Sequence, residues 1–249
     1  MKKIFQSLLI ICCLLSFCNL ALASNYNYNR FKNLKVCAVT ELYFPLENIN
    51  KQLSGALNTF YGSDYELYYT ILNNHKKCDV LLSHDEKLYT RLTRMKRLIE
   101  GSLTPFIKSN LVLWSNKPFD LSKRQNILAV ADPKKTVVGF ETYRLLENDI
   151  NYKNLANKKI TLDQQYKAYN LVASNNADLT IIAKPLIYDS KGNTVGYSKE
   201  IIPQKYMPIT YFASISYYTK NNYKVTDFIT YLQTNSEAIS ILLKFGYSK

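Results

Sequence analysis

Apolar residues along this chain fall into two kinds of run. Short continuous stretches at 35–40 (KVCAVT), 79–83 (DVLLS), 127–131 (ILAVA), 159–162 (KITL) and 178–183 (DLTIIA) predict buried strands. Between them the spacing lengthens to the helical period. Residues 45–60 place Leu46, Ile49, Leu53, Ala56, Leu57 and Phe60 on one face, with Pro45 in the first turn. Residues 65–70 predict a further strand, and 71–77 a short connection. Ser83-His84-Asp85-Glu86 has the spacing of a capping box ahead of Leu88, Leu92 and Met95. Residues 140–146 and 163–173 predict two more helices.

Strands alternating with helices predict an α/β fold with parallel-rich sheets under helical layers. The segments 78–83 and 177–183 echo each other, each after a polar, Asn-containing turn, which suggests two similar halves. Two longer β-like stretches, 104–115 and 207–219, follow the halves. If they pair, the chain crosses between two lobes twice and the last helices, near 226–231 and 237–244, return to the first lobe. The expected division is residues 24–107 with 210–249 as one lobe and 108–209 as the other, hinged about a cleft. A single doubly wound sheet with a C-terminal appendix is the alternative.

The first 23 residues change the picture. Lys2 and Lys3, an apolar core over 8–17 and Ala21-Leu22-Ala23 form a cleavable secretory leader. Phe17 before Cys18 argues against a lipoprotein site, and the core is short for a membrane span. The expected location is the periplasm. The chain carries a formal net charge of +13, of which the leader removes only two lysines. The remaining lysines are scattered, with no run of five, so a solvated basic surface is expected and no nucleic acid partner. Cys37 and Cys78 remain in an oxidising compartment; a disulfide and two buried thiols are both compatible with their strand positions.

Catalytic signatures are weak. There are two histidines and seven glycines. Neither His75, in a polar turn, nor His84, expected on an exposed first helical turn, belongs to an HExxH. No GxSxG elbow, no GxxxxGK[ST] loop and no CxxC is present, so neither an enzyme nor a cofactor is indicated. The stretch 129–148 (AVADPKKTVVGFETYRLLEN) is more informative. A strand stops at Asp132-Pro133, Gly139 follows, and a helix begins, an arrangement that leaves N–H groups free for an acceptor-rich ligand. In open α/β sheets ligands sit at the C-terminal ends of the strands. There the sequence offers Thr40 and Glu41, Thr70, Ser83, Val138 and Gly139, Gln164 and Gln165, and Ala183 and Lys184. Each could equally cap a helix or fill the core.

Across the segments 78–92, 109–118, 128–148 and 225–247 the chain resembles the molybdate-binding periplasmic proteins of ABC transporters, within the type 2 solute-binding superfamily. The resemblance implies a monomeric two-lobed binding protein that takes an oxyanion such as molybdate or tungstate and delivers it to an inner-membrane permease. It implies contacts at Glu41, Thr70, Val138, Gln165 and Ala183, to which the strand-end placement adds Thr40 and Gly139. Several are chemically altered. Glu41 stands where the family places a serine hydroxyl, and Ala183 where it often places a tyrosine. The family's serine-rich loop opening a helix has no counterpart before Ile71-Leu72, which leaves Thr70 as the nearest hydroxyl. Three readings follow: an oxyanion binder, the same fold rebuilt for a different small solute, and an exported basic, tyrosine-rich interaction protein with no transport role.

Overall fold

The computed structural model describes residues 30–122, 125–153 and 155–249. The leader reading lies outside them. The elements run β1 (Leu34–Val39), α1 (Tyr43–Gln52), β2 (Leu57–Gly62), α2 (Asp64–Asn73), β3 (Val80–Ser83), α3 (Glu86–Arg94), β4 (Thr104–Ser109) and β5 (Leu111–Ser115). They continue with β6 (Gln125–Ala131), α4 (Val137–Asn148), α5 (Ile150–Lys153), β7 (Ala156–Leu162), α6 (Gln165–Ala173), β8 (Leu179–Ala183) and β9 (Tyr197–Glu200). The chain ends with β10 (Ile209–Ile215), α7 (Asn222–Thr234), α8 (Ser236–Lys244) and β11 (Tyr247–Ser248).

The strands form two mixed sheets. One has six strands in the order β11-β4-β10-β3-β1-β2, and the other five in the order β7-β6-β8-β5-β9. In each, the βαβ strands are parallel, β2-β1-β3 and β7-β6-β8, and antiparallel neighbours complete the edge. Adjacent βαβ strands need a helical crossover, which is why the apolar runs alternate with helical spacing. The chain passes from the first sheet to the second between Ser109 and Leu111, and returns between Glu200 and Ile209. The Leu111 N–H donates to the Tyr206 hydroxyl at 2.7 Å, so the two crossings are tied together. Of the two long β-like stretches, only the leading part of each pairs with the other: β10 runs antiparallel to β4, from Ile209 opposite Ser109 to Ala213 opposite Thr104.

Two sequence readings are corrected. The helix expected over 45–60 ends at Gln52. Ser54 and Gly55 both have positive φ, 56° and 76°, which breaks the helix and starts β2 at Leu57. Apolar Leu53, Ala56, Leu57 and Phe60 only imitated a continuing helical stripe. The strand expected over 65–70 is helix α2. Ser63 accepts from the Glu66 N–H while the Glu66 carboxylate accepts from the Ser63 N–H, a complete capping box. Leu67 and Ile71, four apart, are the buried face of that helix. Cys37 and Cys78 form a disulfide with Cα atoms 5.5 Å apart, joining β1 to the approach to β3.

Candidate functional site

Four helices begin at one cavity. Their N-cap residues, Ser63 of α2, Asp85 of α3, Thr136 of α4 and Gln164 of α6, all line a cleft of about 520 Å³ between the sheets. Converging helix N-termini make the surroundings electropositive through their free N–H groups. Yet the floor of the cleft is acidic. Thr40 and Glu41 form a single 3-10 turn after β1, and Asp64 occupies the first position of α2.

Glu41, Asp64 and His84 are 8%, 8% and 5% exposed, so the three groups share a site nearly shut off from water. His84 lies between the carboxylates, with Nε2 3.1 Å from Glu41 Oε1 and Nδ1 3.3 Å from Asp64 Oδ2. The Ser83 hydroxyl donates to Asp64 Oδ1 at 2.6 Å and accepts from the Asp85 N–H at 3.0 Å. Burial alone would lower the His84 pKa, but the carboxylates of Asp64 and Glu41 outweigh it and push the ring up to about 9. The imidazole is therefore a cation at neutral pH. Burial pushes the Asp64 carboxyl above its usual range, opposed by His84 and Ser83. The ring also packs edge-on against Tyr211, centroids 5.4 Å apart, and Tyr211 against Tyr247 at 5.2 Å. The Tyr247 hydroxyl donates to the Glu41 carbonyl at 3.0 Å, so the C-terminal strand fixes the backbone of the turn.

From the other sheet, Gln165 at the start of α6 reaches across. Its Oε1 accepts the Ala183 N–H at 3.0 Å, which orients its Nε2 to donate to Glu41 Oε1. Beside it, Gln164 Nε2 donates to the Ser63 hydroxyl at 2.9 Å. Among the described residues no hydrogen bond reaches Glu41 Oε2. Above the floor, Tyr65, Tyr68, Tyr69 and Tyr166 form an aromatic wall. Lys87 and Arg91 of α3 stand on one side of the mouth, and Lys134 and Lys135 on the other.

The seven residues expected to contact ligand separate into two groups. Thr40, Glu41 and Gln165 line the cavity. Thr70 does not, because it lies late in α2; the hydroxyl opening that helix is Ser63, a single serine after Gly62. Val138 is fully buried, and the Gly139 N–H donates to Thr136 Oγ1 at 2.9 Å, leaving that amide satisfied within the helix cap. Gly139 is required for packing: a Cβ there would lie 2.5 Å from the Asp132 carbonyl, where α4 crosses the end of β6. Ala183 is buried and acts by orienting Gln165. Ser83 proves to be a partner of Asp64 while Asp85 caps α3 through the Lys87 N–H, and His84 turns inward instead of standing exposed. Asp64, His84 and the tyrosine wall carried no local sequence signal. The capping-box pair Ser63 and Glu66 was the one cue that could have placed Asp64 at the cleft.

Among the described residues no group of three or more His, Cys, Asp or Glu side chains is arranged to hold a metal ion, and no helix is long and apolar enough to cross a membrane. The chain is similar to the molybdate-binding protein ModA of Rhodobacter capsulatus, 25% identical over 188 residues that cover 72% of this chain and 73% of the relative. Its fold is similar to the periplasmic molybdate-binding protein of Azotobacter vinelandii, with a TM-score of 0.73, 24% identity, and coverage of 87% of this chain and 99% of that one. It is also similar to PEB3 of Campylobacter jejuni bound to L-phospholactate, with a TM-score of 0.68, 17% identity, and coverage of 87% and 100%. The family model for bacterial extracellular solute-binding proteins matches residues 34–248, and the chain belongs to that family.

Proposed function

We propose that the protein is the periplasmic, monomeric solute-binding component of an ABC transporter, and that its cleft holds a small solute other than a bare tetrahedral oxyanion. The six-stranded sheet with its helices forms one lobe and the five-stranded sheet with its helices the other, closing about the two crossings to hand the solute to an inner-membrane permease. The observation that carries the ligand reading is Glu41. Its carboxylate sits at the cleft floor and already takes the donors, His84 and Gln165, that an oxyanion there would need. A dianion about 4 Å from it would be repelled by ~4 kcal/mol per unit charge at an effective dielectric of 20, more than a hundredfold in affinity for each charge. The cavity, about 520 Å³, is also of a size that suits an organic solute.

Molybdate is the second reading, favoured by the likeness to the Rhodobacter capsulatus relative. Calorimetry separates the two. Purified mature protein, unfolded and refolded to strip any carried-over solute, is titrated with molybdate and with tungstate. Heat that saturates at micromolar oxyanion overturns the proposal; silence at millimolar oxyanion, with a melting shift from some other small solute, supports it.

A further inference from the structure

The cleft is electrically two-ended. Its floor holds two carboxyl groups, Glu41 and Asp64, against one imidazole, His84, so acidic groups outnumber basic ones there. Its mouth holds four exposed cations, Lys87, Arg91, Lys134 and Lys135, against two acids, Asp85 and Asp163, and the side chains of the four make no ion pair or hydrogen bond with the described residues. These cations come from both sides of the cleft. Tyrosines line it as well, and Tyr65, 67% exposed, lies tilted against Tyr69 with ring centroids 4.6 Å apart. Glu41 lines the cavity, and among the described residues no hydrogen bond reaches its Oε2.

A solute with one kind of charge meets repulsion at one end of such a cleft. A mono- or dianion is attracted by the mouth and repelled by the floor; a simple amine meets the reverse. From this polarity, and resting on the transport reading above, we infer that the site takes a zwitterionic solute. Its ammonium group donates to Glu41 and Asp64, its acid group lies against Arg91, Lys134 and Lys135, and its middle packs on the tyrosine wall. Gln165 serves as a positioning residue, because its Nε2 donates to Glu41 Oε1 from the opposite sheet.

The test is a thermal-shift and calorimetry series on refolded mature protein. The probes are the twenty amino acids and a set of dipeptides, each beside its amine-only and acid-only analogue, with molybdate and phosphate alongside. The expected result is binding by members of the zwitterion set, with each single-charge analogue weaker by about tenfold or more, the scale of one charge-assisted hydrogen bond. Glu41→Gln should weaken the zwitterion and the amine but leave the acid-only analogue unchanged or improved. Lys134→Ala with Lys135→Ala, on the exposed mouth, should weaken the zwitterion and the acid but spare the amine. Asp64→Asn gives a second floor variant should Glu41→Gln fail to fold. If acid-only analogues or inorganic oxyanions bind as well as the zwitterions, the charge assignment is overturned while the transport reading stands. If no small solute of any class shifts the melting temperature, both are overturned.

Discussion

The two sides of the cleft solve the same structural problem with opposite chemistry. Each side presents a βαβ unit whose helices start at the cavity. The six-stranded side sets acidic groups there, Asp64 and Asp85 at helix starts and Glu41 in the turn after β1, around a buried His84. The five-stranded side uses neutral groups, Thr136, Gln164 and Gln165. A neutral amide can let go of its partner and meet water at modest cost, whereas a buried charge separated from its counter-charge cannot. The charged side is therefore the fixed floor, and the amide side is suited to swing.

This contrast predicts a graded set of outcomes. The largest effect should follow His84→Ala, which leaves Glu41 and Asp64 facing each other without the cation between them. Urea unfolding should show a loss of about 3–5 kcal/mol, the range for breaking a buried ion pair from one side. An unfolding midpoint equal to wild type would mean that the floor is not the rigid half.

Removing the Cys37–Cys78 disulfide, which encloses 41 residues' separation on the same charged side, should cost about 2–4 kcal/mol by the same measurement. The comparison is with a pair of substitutions, Cys37→Ala and Cys78→Ala, not with reductant alone. A pH titration follows in size. Because the His84 pKa is raised from 6.5 to about 9, its contribution is complete below about pH 6.5 and is lost as pH rises toward 9. That difference corresponds to about 3 kcal/mol at most, read as a fall in melting temperature across that window. The groups facing the ring are Glu41, Asp64, Asp85 and Tyr211. His84→Gln should flatten the profile; an unchanged slope would assign the pH dependence elsewhere.

On the amide side the effects should be smaller. Gln165→Ala removes one cross-cleft bond and leaves the Ala183 N–H without its acceptor, for about 1–2 kcal/mol. Solution scattering should report a wider cleft for this variant. Scattering identical to wild type would show that Gln165 does not hold the two sides together. Smallest of all, Lys134→Ala with Lys135→Ala should leave the melting temperature of the protein alone unchanged, since both side chains are exposed and unpaired among the described residues.

Much of the architecture was legible because it rests on local periodicity. The apolar runs at 79–83, 127–131, 159–162 and 178–183 fall on β3, β6, β7 and β8, and the helices between them appear where the spacing changes. The errors came where local signals conflicted. In α2 the tyrosines, common in strands, masked the Ser63–Glu66 capping box. At 53–60 an apolar stripe ran on past a turn that Ser54 and Gly55 impose through positive φ. The site was less legible. Thr40, Glu41 and Gln165 could be placed at strand ends, but the donors around Glu41 could not be read from its neighbours.

What the amino-acid sequence determined by itself was the alternation of strands and helices and the repeat of two βαβ halves. Those depend on interactions a few residues apart, or on the hydrophobic pattern that every element carries with it. Only the tertiary structure decided that Glu41 meets Gln165 across 124 positions of chain and His84 across 43. Burial and charge pairing are properties of the assembled cleft: the same glutamate on an exposed turn would be an ordinary solvated carboxylate. Enclosed between an imidazole and an amide, it belongs to a buried acid–base cluster that links the two sheets.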